Sequence, residues 1–245
     1  MPTCLLVRHG RTASNASGVL AGWTPGIGLD DHGRGQVEAL AARLRDLPIA
    51  AIVASPLQRC RETADALRGD RDLTVRHDER LAECRYGAWT GRSLTELADE
   101  PLWRVVQDQP SAARFPDGDD FDGEGIADMS ARAVAAIREL DAQVAAEHGP
   151  DSLWVAVSHG DVIKAILADA AGTHLDHFQR IVVSPASLSA VRYTPRRPFV
   201  LAVNGVDDVA GLVPEPAPAA ASGAAGKTGD TSGDASGDAA VGGGT

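Results

Sequence analysis

Short apolar runs alternate with helix-like segments along most of the chain, and this alternation limits its fold more than any other feature. Buried strands are predicted at Thr3–Val7, Ile49–Ala54 and Leu153–Val157, because each is a brief apolar run bounded by turn-forming residues. The longest helix is predicted over Ile126–Ala146, which is rich in alanine. Strands that alternate with helices build layered α/β domains. We therefore predict a three-layer α/β/α sandwich around a mostly parallel central sheet.

The other elements are predicted from shorter patterns. Four segments have apolar residues at helical spacing or a helix-starting proline: Gly33–Leu47, Pro56–Leu67, Thr95–Gln107 and Asp161–Ala171. Four short runs are typical of strands: Leu73–Arg76, Ile181–Val183, Leu188–Tyr193 and Phe199–Val203. Two turn-rich stretches are expected to be loops: Leu81–Gly91 and Arg114–Gly125.

The composition changes sharply near Pro214. From there to the end of the sequence, 26 of the 32 residues are Ala, Gly, Pro, Ser or Thr. Such a segment cannot bury enough apolar surface to offset the entropy lost on ordering. The sequence therefore predicts one folded domain over residues 1–205 and a disordered, acidic tail over residues 206–245.

The charge and cysteine content argue against several classes of partner. The 245 residues carry a net charge of -11, which repels the phosphates of nucleic acids and of anionic membranes. No apolar run reaches about 18 residues, the length that identifies a membrane-spanning helix. The three cysteines are widely spaced and give no disulfide framework, which favours a reducing compartment. We expect a cytoplasmic protein without nucleic-acid or membrane partners.

Two histidines occupy the same local setting. Each lies just past a predicted strand and is followed by a glycine, as His9-Gly10 and His159-Gly160. Ligands of open α/β sheets bind at the carboxyl ends of the strands, so both imidazoles are expected to face one crevice. For either histidine alone, a side chain satisfied within the core is an equally good interpretation. The repetition of the pattern favours a shared site.

Two arginines accompany the histidines. Arg8 precedes His9, and Arg59 lies in the first turn of the helix that follows the second strand. Helix N-termini attract anions, and guanidinium groups bind phosphate oxygens bidentately. Arg8 and Arg59 are therefore expected to hold a phosphate-like group. The alternative for Arg59 is a solvated position on the helix surface, which is the interpretation we favour for Arg61.

A carboxylic acid beside the crevice would provide a proton donor for a leaving oxygen. By position in the sequence, Glu79, Glu83 and Glu96 are equal candidates. Without further information, each is as well explained as a surface carboxylate.

These motifs, in this order, resemble the histidine phosphatase superfamily, whose fold is described as phosphoglycerate mutase-like. The resemblance extends over residues 3–205 and rests on five segments: Arg8–Thr12, Gly22–Thr24, Ser55–Leu57 with Arg59, Leu81–Gly87 and Ser158–Gly160. Within the superfamily, the chain is most similar to an actinobacterial branch described as phosphomutases.

The resemblance implies a role for each candidate residue. His9 is the implied nucleophile, and Glu83 is the implied acid that protonates the leaving oxygen and then activates water. Arg8, Arg59 and His159 are implied to stabilise the phosphoryl group during transfer. The residues implied to bind substrate are Arg8, Asn15, Gly22, Arg59, His159 and Gly160.

The expected function is that of a metal-independent phosphomonoesterase without a cofactor, acting through phosphohistidine on a small phosphorylated metabolite. A phosphomutase, which returns the phosphoryl group to a second hydroxyl, is the alternative within the same class. A non-catalytic phospholigand-binding module is the alternative from another class. A metal hydrolase with His9 and His159 as ligands also stays open, although Arg8 and Arg59 would repel a cation.

The choice between phosphatase and mutase depends on the surroundings of the site. The loop before the long helix carries five acidic residues, which we expect to disfavour a second anionic group nearby: Asp117, Asp119, Asp120, Asp122 and Glu124. Three basic residues are available in the same region: Arg92, Arg104 and Arg114. Hydrolysis is therefore expected to exceed phosphoryl return. The oligomeric state is left open, and a homodimer is the assembly that we consider.

Overall fold

A computed structural model describes residues 2–206, and its centre is a six-stranded sheet. The strands lie in the order β3-β2-β4-β1-β5-β6. Their bounds are β1 Thr3–Arg8, β2 Ile49–Ala54, β3 Val75–His77, β4 Leu153–Ser158, β5 Leu188–Arg192 and β6 Phe199–Gly205. The tail predicted for residues 206–245 falls outside the described residues except for Val206, so the proposed domain boundary stays a prediction.

The sheet is parallel on one side and antiparallel on the other. β1 pairs with β4 in parallel, and β2 pairs in parallel with both β4 and β3. β5 runs antiparallel to β1 and to β6. The six residues between β5 and β6 are too few for a parallel crossover, so these two strands form a hairpin. The mostly parallel sheet predicted from the sequence is confirmed.

Helices cover both faces of the sheet. The helices are α1 Ala13–Ala16, α2 Asp31–Leu44, α3 Gln58–Arg68, α4 Leu94–Leu97, α5 Pro101–Asp108, α6 Ile126–His148 and α7 Gly160–Ala170. Helices α2 and α3 pack on the face formed by Leu5, Val7 and their neighbours. Helices α6 and α7 pack on the opposite face, which includes Cys4 and Leu6. The three-layer α/β/α arrangement is thus confirmed, and none of the helices in residues 2–206 is long and apolar enough to cross a membrane.

Three predicted elements differ in the structure. Ile181–Val183 is not a strand: it follows a 3₁₀ turn over Leu175–Arg180 and runs into a loop that reaches the site described below. The helix predicted over Thr95–Gln107 is divided into α4 and α5, because Pro101 begins a new helix and has no N–H to continue the old one. The strand predicted over Leu73–Arg76 is shifted to Val75–His77.

Candidate active site

The carboxyl ends of three adjacent parallel strands meet at one edge of the sheet. His9 follows β1, His159 follows β4 and Ser55 follows β2, and these strands lie side by side in the order β2-β4-β1. The ring centroids of His9 and His159 are 5.2 Å apart. The strand order therefore brings together the two histidines that the sequence predicted to share a crevice.

The hydrogen bonds of His9 define which ring nitrogen is available for chemistry. Nδ1 lies 2.8 Å from the carbonyl oxygen of Gly10, and the Nε of Arg59 donates to Nε2 at 3.2 Å. This geometry assigns the proton to Nδ1 and a lone pair to Nε2. Burial, followed by the charges of Arg59 and Arg8, holds the pKa of His9 well below its ordinary value. His9 is therefore a neutral imidazole at neutral pH.

Gly10 permits the sharp turn that places His9. A Cβ at this position would lie 2.7 Å from the carbonyl oxygen of Gly33 and 2.7 Å from Val37 Cγ2, both in α2. The backbone N–H of Gly10 donates to Thr63 Oγ1 in α3 at 3.2 Å. The turn is thus held between two helices, and only glycine leaves room for their close approach.

Arg59 reaches the site from the first turn of α3. It is 3% exposed, so the alternative of a solvated helix residue is wrong for Arg59, whereas Arg61 is exposed as expected. Its Nη2 donates to the carbonyl oxygen of Gly22 at 2.9 Å. Gly22 has a φ of +50°, and a Cβ there would lie 2.9 Å from Thr90 Oγ1. A glycine is therefore required at the turn whose carbonyl oxygen anchors Arg59.

Arg8 approaches from the other face of the sheet. Side chains alternate along a strand, and Arg8 shares its face with Cys4 and Leu6, on the side of α6 and α7. Its Nη1 donates to the carbonyl oxygen of Val183 at 2.7 Å. Burial lowers the pKa of Arg8 to about 10, against the opposing charges of Glu83 and Asp161. Arg8 remains a cation at neutral pH and lies behind the pocket.

Of the three carboxylate candidates, only Glu83 is buried at the site. It is 4% exposed, whereas Glu79 pairs with Arg85 on the surface and Glu96 caps the start of α4. Burial, followed by the charge of Asp161, raises the pKa of Glu83 to about 7. The raised pKa favours the protonated form of Glu83, which is the property required of a general acid.

The loop that carries Glu83 is held in place by hydrogen bonds to its backbone. The Nε1 of Trp23 donates to the carbonyl oxygen of Glu83 at 2.7 Å. Arg132 of α6 donates to the same oxygen at 3.0 Å and to the carbonyl oxygen of Ala82 at 2.8 Å. Arg132 also forms an ion pair with Glu124 at 2.6 Å. Sequence reasoning missed Arg132, because an arginine on a long helix gives no sign of what it reaches.

His159 is fully buried behind His9. Its Nε2 lies 2.8 Å from Ser55 Oγ, and its Nδ1 lies 3.9 Å from Glu83 Oε2. Burial, followed by the charges of Arg59 and His9, holds the pKa of His159 well below its ordinary value, so the ring is neutral. Gly160 is buried as the first residue of α7. Neither residue is among those that line the pocket.

A small pocket opens in front of His9. The predicted site residues that line it are His9, Asn15, Gly22, Arg59 and Glu83. The rest of the wall is formed by small polar and apolar side chains together with Tyr86: Thr12, Ser14, Gly18, Val19, Leu20, Ala21, Tyr86 and Leu94. Among these lining residues, Arg59 is the one cation.

Asn15 has a structural task as well as a position on the pocket wall. Its Oδ1 accepts from the backbone N–H of Thr12 at 3.1 Å and from Thr12 Oγ1 at 2.9 Å, which completes the capping box of α1. In the described part of the chain, no hydrogen bond is made by its Nδ2. The amide N–H₂ is therefore the part of Asn15 that can serve a ligand.

The expectation that the acidic loop faces the site is not met for the described pocket, since none of its five acids lines it. Asp117 Oδ1 accepts from the N–H of Gly123 at 2.7 Å, and Glu124 pairs with Arg132. Asp120 and Asp122 line a neighbouring pocket instead. Asp117 and Glu124 are thus engaged within the protein, which a count of charges cannot reveal. The basic residues of the region are also turned to surface partners: Arg92 pairs with Glu100, and Arg114 with Asp128.

No group of three or more His, Cys, Asp or Glu side chains within residues 2–206 is arranged to hold a metal ion. The three cysteines are buried free thiols.

Comparison with known proteins identifies the family of this chain. The model of the histidine phosphatase superfamily (branch 1) matches residues 4–205. A probable phosphoglycerate mutase GpmB of Erwinia tasmaniensis is 31% identical over 188 residues, which cover 76% of this chain and 82% of that protein.

Two solved structures show the same fold. YhfR of Bacillus stearothermophilus has a TM-score of 0.75 and 27% identity, covering 84% of this chain and 98% of that one. A mycobacterial glucosyl-3-phosphoglycerate phosphatase in complex with VO₃ has a TM-score of 0.70 and 28% identity, covering 82% and 98%.

The fold and the site together define an α/β enzyme of the phosphatase or phosphomutase type. The chain belongs to the histidine phosphatase superfamily, branch 1.

Proposed function

We propose that this protein is a metal-independent phosphomonoesterase that acts through a phosphohistidine on His9. The observation that carries the proposal is the 3.2 Å hydrogen bond from Arg59 Nε to His9 Nε2 at the pocket wall. A cation thus stands beside the lone pair that would attack phosphorus, where it can bind phosphoryl oxygens in the transition state. Asn15 is proposed to add a hydrogen bond from its amide N–H₂.

The reaction proceeds in two steps. In the first, His9 Nε2 forms a bond to phosphorus, the bond between phosphorus and the ester oxygen breaks, and Glu83 gives its proton to the leaving alkoxide. In the second, the Glu83 carboxylate takes a proton from water as the water oxygen bonds to phosphorus. The bond from His9 to phosphorus then breaks, and inorganic phosphate leaves. His159, 5.2 Å from His9 between ring centroids, is proposed to stabilise the developing charge.

The buried charges favour a substrate that carries two negative charges. Arg8, Arg59 and Lys164 are buried cations, and Asp161 is the carboxylate among them when Glu83 is protonated. Buried charges are costly unless they are compensated. The excess of cations in this cluster favours a phosphate monoester dianion, and the protonated Glu83 is then ready to act as the acid.

The pocket favours hydrolysis over phosphoryl return to an acidic metabolite. A mutase acting on phosphoglycerates must also hold a carboxylate, and its pocket needs a second cation for it. Beyond Arg59, the lining residues of this pocket are uncharged apart from Glu83. We therefore propose a small phosphorylated substrate with a neutral leaving group, such as a sugar or polyol phosphate. Phosphomutase activity is the second candidate, favoured by the similarity to the probable phosphoglycerate mutase.

A direct assay separates these functions. Phosphate release from a panel of phosphomonoesters is compared with interconversion of 2- and 3-phosphoglycerate, and protein quenched at neutral or alkaline pH is examined by mass spectrometry for phosphate on His9. The control is the exposed residue His174, so His174→Ala should keep the label and His9→Ala should lose it. Interconversion that exceeds hydrolysis at least tenfold, about 1.4 kcal/mol in barrier, would assign a mutase. Binding of phosphate esters with neither turnover nor label would assign the non-catalytic module.

A homodimer stays a prediction. The surface that favours it is the outer edge of the sheet, where Phe199, Leu201 and Val203 of β6 are half-exposed. Among the described strands, β6 pairs with β5 alone, and an uncovered apolar edge strand tends to pair with another chain. Light scattering decides: a dimer that is lost in Leu201→Lys supports the prediction, whereas a wild-type monomer at micromolar concentration contradicts it. Cytoplasmic location and the absence of nucleic-acid partners likewise stay predictions.

A further inference from the structure

A buried polar cluster extends from the pocket wall into the core and has no part in the two steps above. Tyr86 Oη donates to Asp161 Oδ2 at 2.8 Å. Lys164 Nζ lies 3.6 Å from Asp161 Oδ1 and donates to Gln179 Oε1 at 3.0 Å. All four side chains are buried. Two of them come from the first turns of α7, which otherwise presents apolar residues to the core.

We propose that Asp161 is a positioning residue of the reaction, which fixes Tyr86 at the pocket wall by a hydrogen bond and places a negative charge in the buried surroundings of Glu83. This inference rests on the proposed function of Glu83 as a general acid. It assigns to Asp161 two separable effects, one mechanical and one electrostatic.

The mechanical effect passes through a chain of contacts to Arg59. Tyr86 lines the pocket on one side and is bonded to Asp161 on the other. Its ring packs edge-on against Phe115, with centroids 5.0 Å apart. A Cβ added to Gly22 would lie 3.3 Å from Tyr86 Cδ2, so the Tyr86 ring packs close to Gly22. The Gly22 carbonyl oxygen in turn accepts a hydrogen bond from Arg59 Nη2. A fixed Tyr86 therefore supports the turn that anchors Arg59.

The electrostatic effect depends on the groups around the Glu83 carboxyl. Arg8 from β1 and Arg59 from α3 favour its ionised form, and so does the N–H of Cys84, which donates to Oε1 at 3.0 Å. Asp161 from α7 opposes them, and after burial it is the largest cause of the raised pKa of Glu83. His159 is neutral, and Arg132 from α6 contacts the Glu83 carbonyl. The charge of Asp161 therefore adds to burial in raising the pKa of Glu83 against these cations.

Three substitutions separate the two effects. Asp161→Asn removes the charge but retains an oxygen that accepts from Tyr86. Tyr86→Phe removes the hydrogen bond but leaves the charge. Asp161→Glu returns the charge in a longer side chain, and it should restore most of the pH behaviour. If Asp161→Asn does not fold, Lys164→Gln provides the opposite test, because loss of a cation near Asp161 should raise the pKa of Glu83.

The measurement is the pH profile of kcat/KM with two substrates, glycerol 1-phosphate and p-nitrophenyl phosphate. The alkyl ester needs a protonated acid, so its activity falls as pH rises through the pKa of Glu83. In Asp161→Asn we expect that limb to move down by roughly one pH unit, as for loss of one nearby like charge, with about a tenfold loss at pH 8. The p-nitrophenyl ester has a good leaving group and should show little shift. Tyr86→Phe should lower the rate without moving the limb.

A second readout does not depend on activity. Carboxyl ¹³C NMR of Glu83, assigned with Glu83→Gln, should show a lower titration midpoint in Asp161→Asn than in the wild type. An unchanged midpoint, or an equal loss of activity on both substrates at every pH, would overturn the role of Asp161. A wild-type enzyme that hydrolyses neither ester would overturn the proposed function instead, and the NMR result would still decide the effect of Asp161 on Glu83.

Discussion

Replacement of Arg59 by alanine tests the arrangement around His9 most directly. Arg59 donates to His9 Nε2 at 3.2 Å and to the Gly22 carbonyl oxygen at 2.9 Å, so its guanidinium stands at the proposed nucleophilic nitrogen. Loss of one preorganised donor at a developing charge costs about 2.7–4 kcal/mol, or roughly 10²–10³ in kcat. We expect kcat/KM for p-nitrophenyl phosphate to fall by a factor in that range.

The same substitution should change the pH dependence. After burial, Arg59 is the largest cause of the depressed pKa of His9, so the variant's His9 binds a proton at higher pH than the wild type does. A protonated imidazole cannot attack phosphorus. The relative activity of Arg59→Ala should therefore decline further as pH falls, and the deficit should be larger at pH 5 than at pH 8.

The matched control is Arg61→Ala, two residues along the same helix and exposed, which should stay within about twofold of the wild type, as for a surface change. The melting temperature of Arg59→Ala without ligand should not fall substantially, because the substitution removes a buried cation that is costly without an anion. Activity of Arg59→Ala within threefold of the wild type would refute the assignment. An equal loss in Arg61→Ala would show that the effect is not specific to the site.

Three further predictions concern stability, metals and the tail. Gly10→Ala should lower the free energy of unfolding by about 1–3 kcal/mol, because its Cβ would lie 2.7 Å from the Gly33 carbonyl oxygen. Gly35→Ala, which has open space in the same helix α2, should stabilise slightly in the same urea titration. Phosphate release should persist in excess chelator, and its loss with rescue by one divalent ion would favour the metal hydrolase. Deletion of residues 207–245 should leave melting temperature and turnover unchanged, and a drop of several degrees would contradict the predicted disorder.

Much of the fold was predictable because the spacing of apolar residues indicates each element, and the order of strands and helices along the chain limits how they can be arranged. Apolar runs of about six residues between helical segments leave few arrangements other than a parallel sheet between helix layers. The strand predicted at Ile181–Val183 was wrong for a local reason. Its apolar residues have different surroundings, since Val183 is buried with its carbonyl bonded to Arg8 while Val182 is exposed. A run of three apolar residues cannot separate a strand from such a loop.

The predictable part of the candidate site was the set of residues that directly follow a strand. The pattern of strand, histidine and glycine located His9 and His159, but it could not distinguish Glu83 from Glu79 and Glu96, because that choice depends on which carboxyl group the loop turns inward. Tyr86 lies in the segment Leu81–Gly87, and the sequence alone indicates no role for it. Lys164 carried a signal, since a lysine within an apolar helix is costly unless a partner is present. Its partner Asp161 resembled an ordinary acid in the first turn of a helix.

An acidic protein can bind a dianion when its cations at the site are buried and its acids lie at the surface. Alternation along β1 turns His9 and Arg8 towards opposite sides of the sheet, and α3 brings Arg59 to His9, so the cations lie on both sides of the strand end. These groups are buried, and their attraction acts at low dielectric. Within residues 2–206 the acids lie mostly at the surface, since only Glu83, Asp141 and Asp161 are buried, and salt screens the exposed ones over about 8 Å. Local burial, rather than net charge, therefore decides what the pocket attracts, and the sign of the total charge does not exclude a phosphorylated substrate.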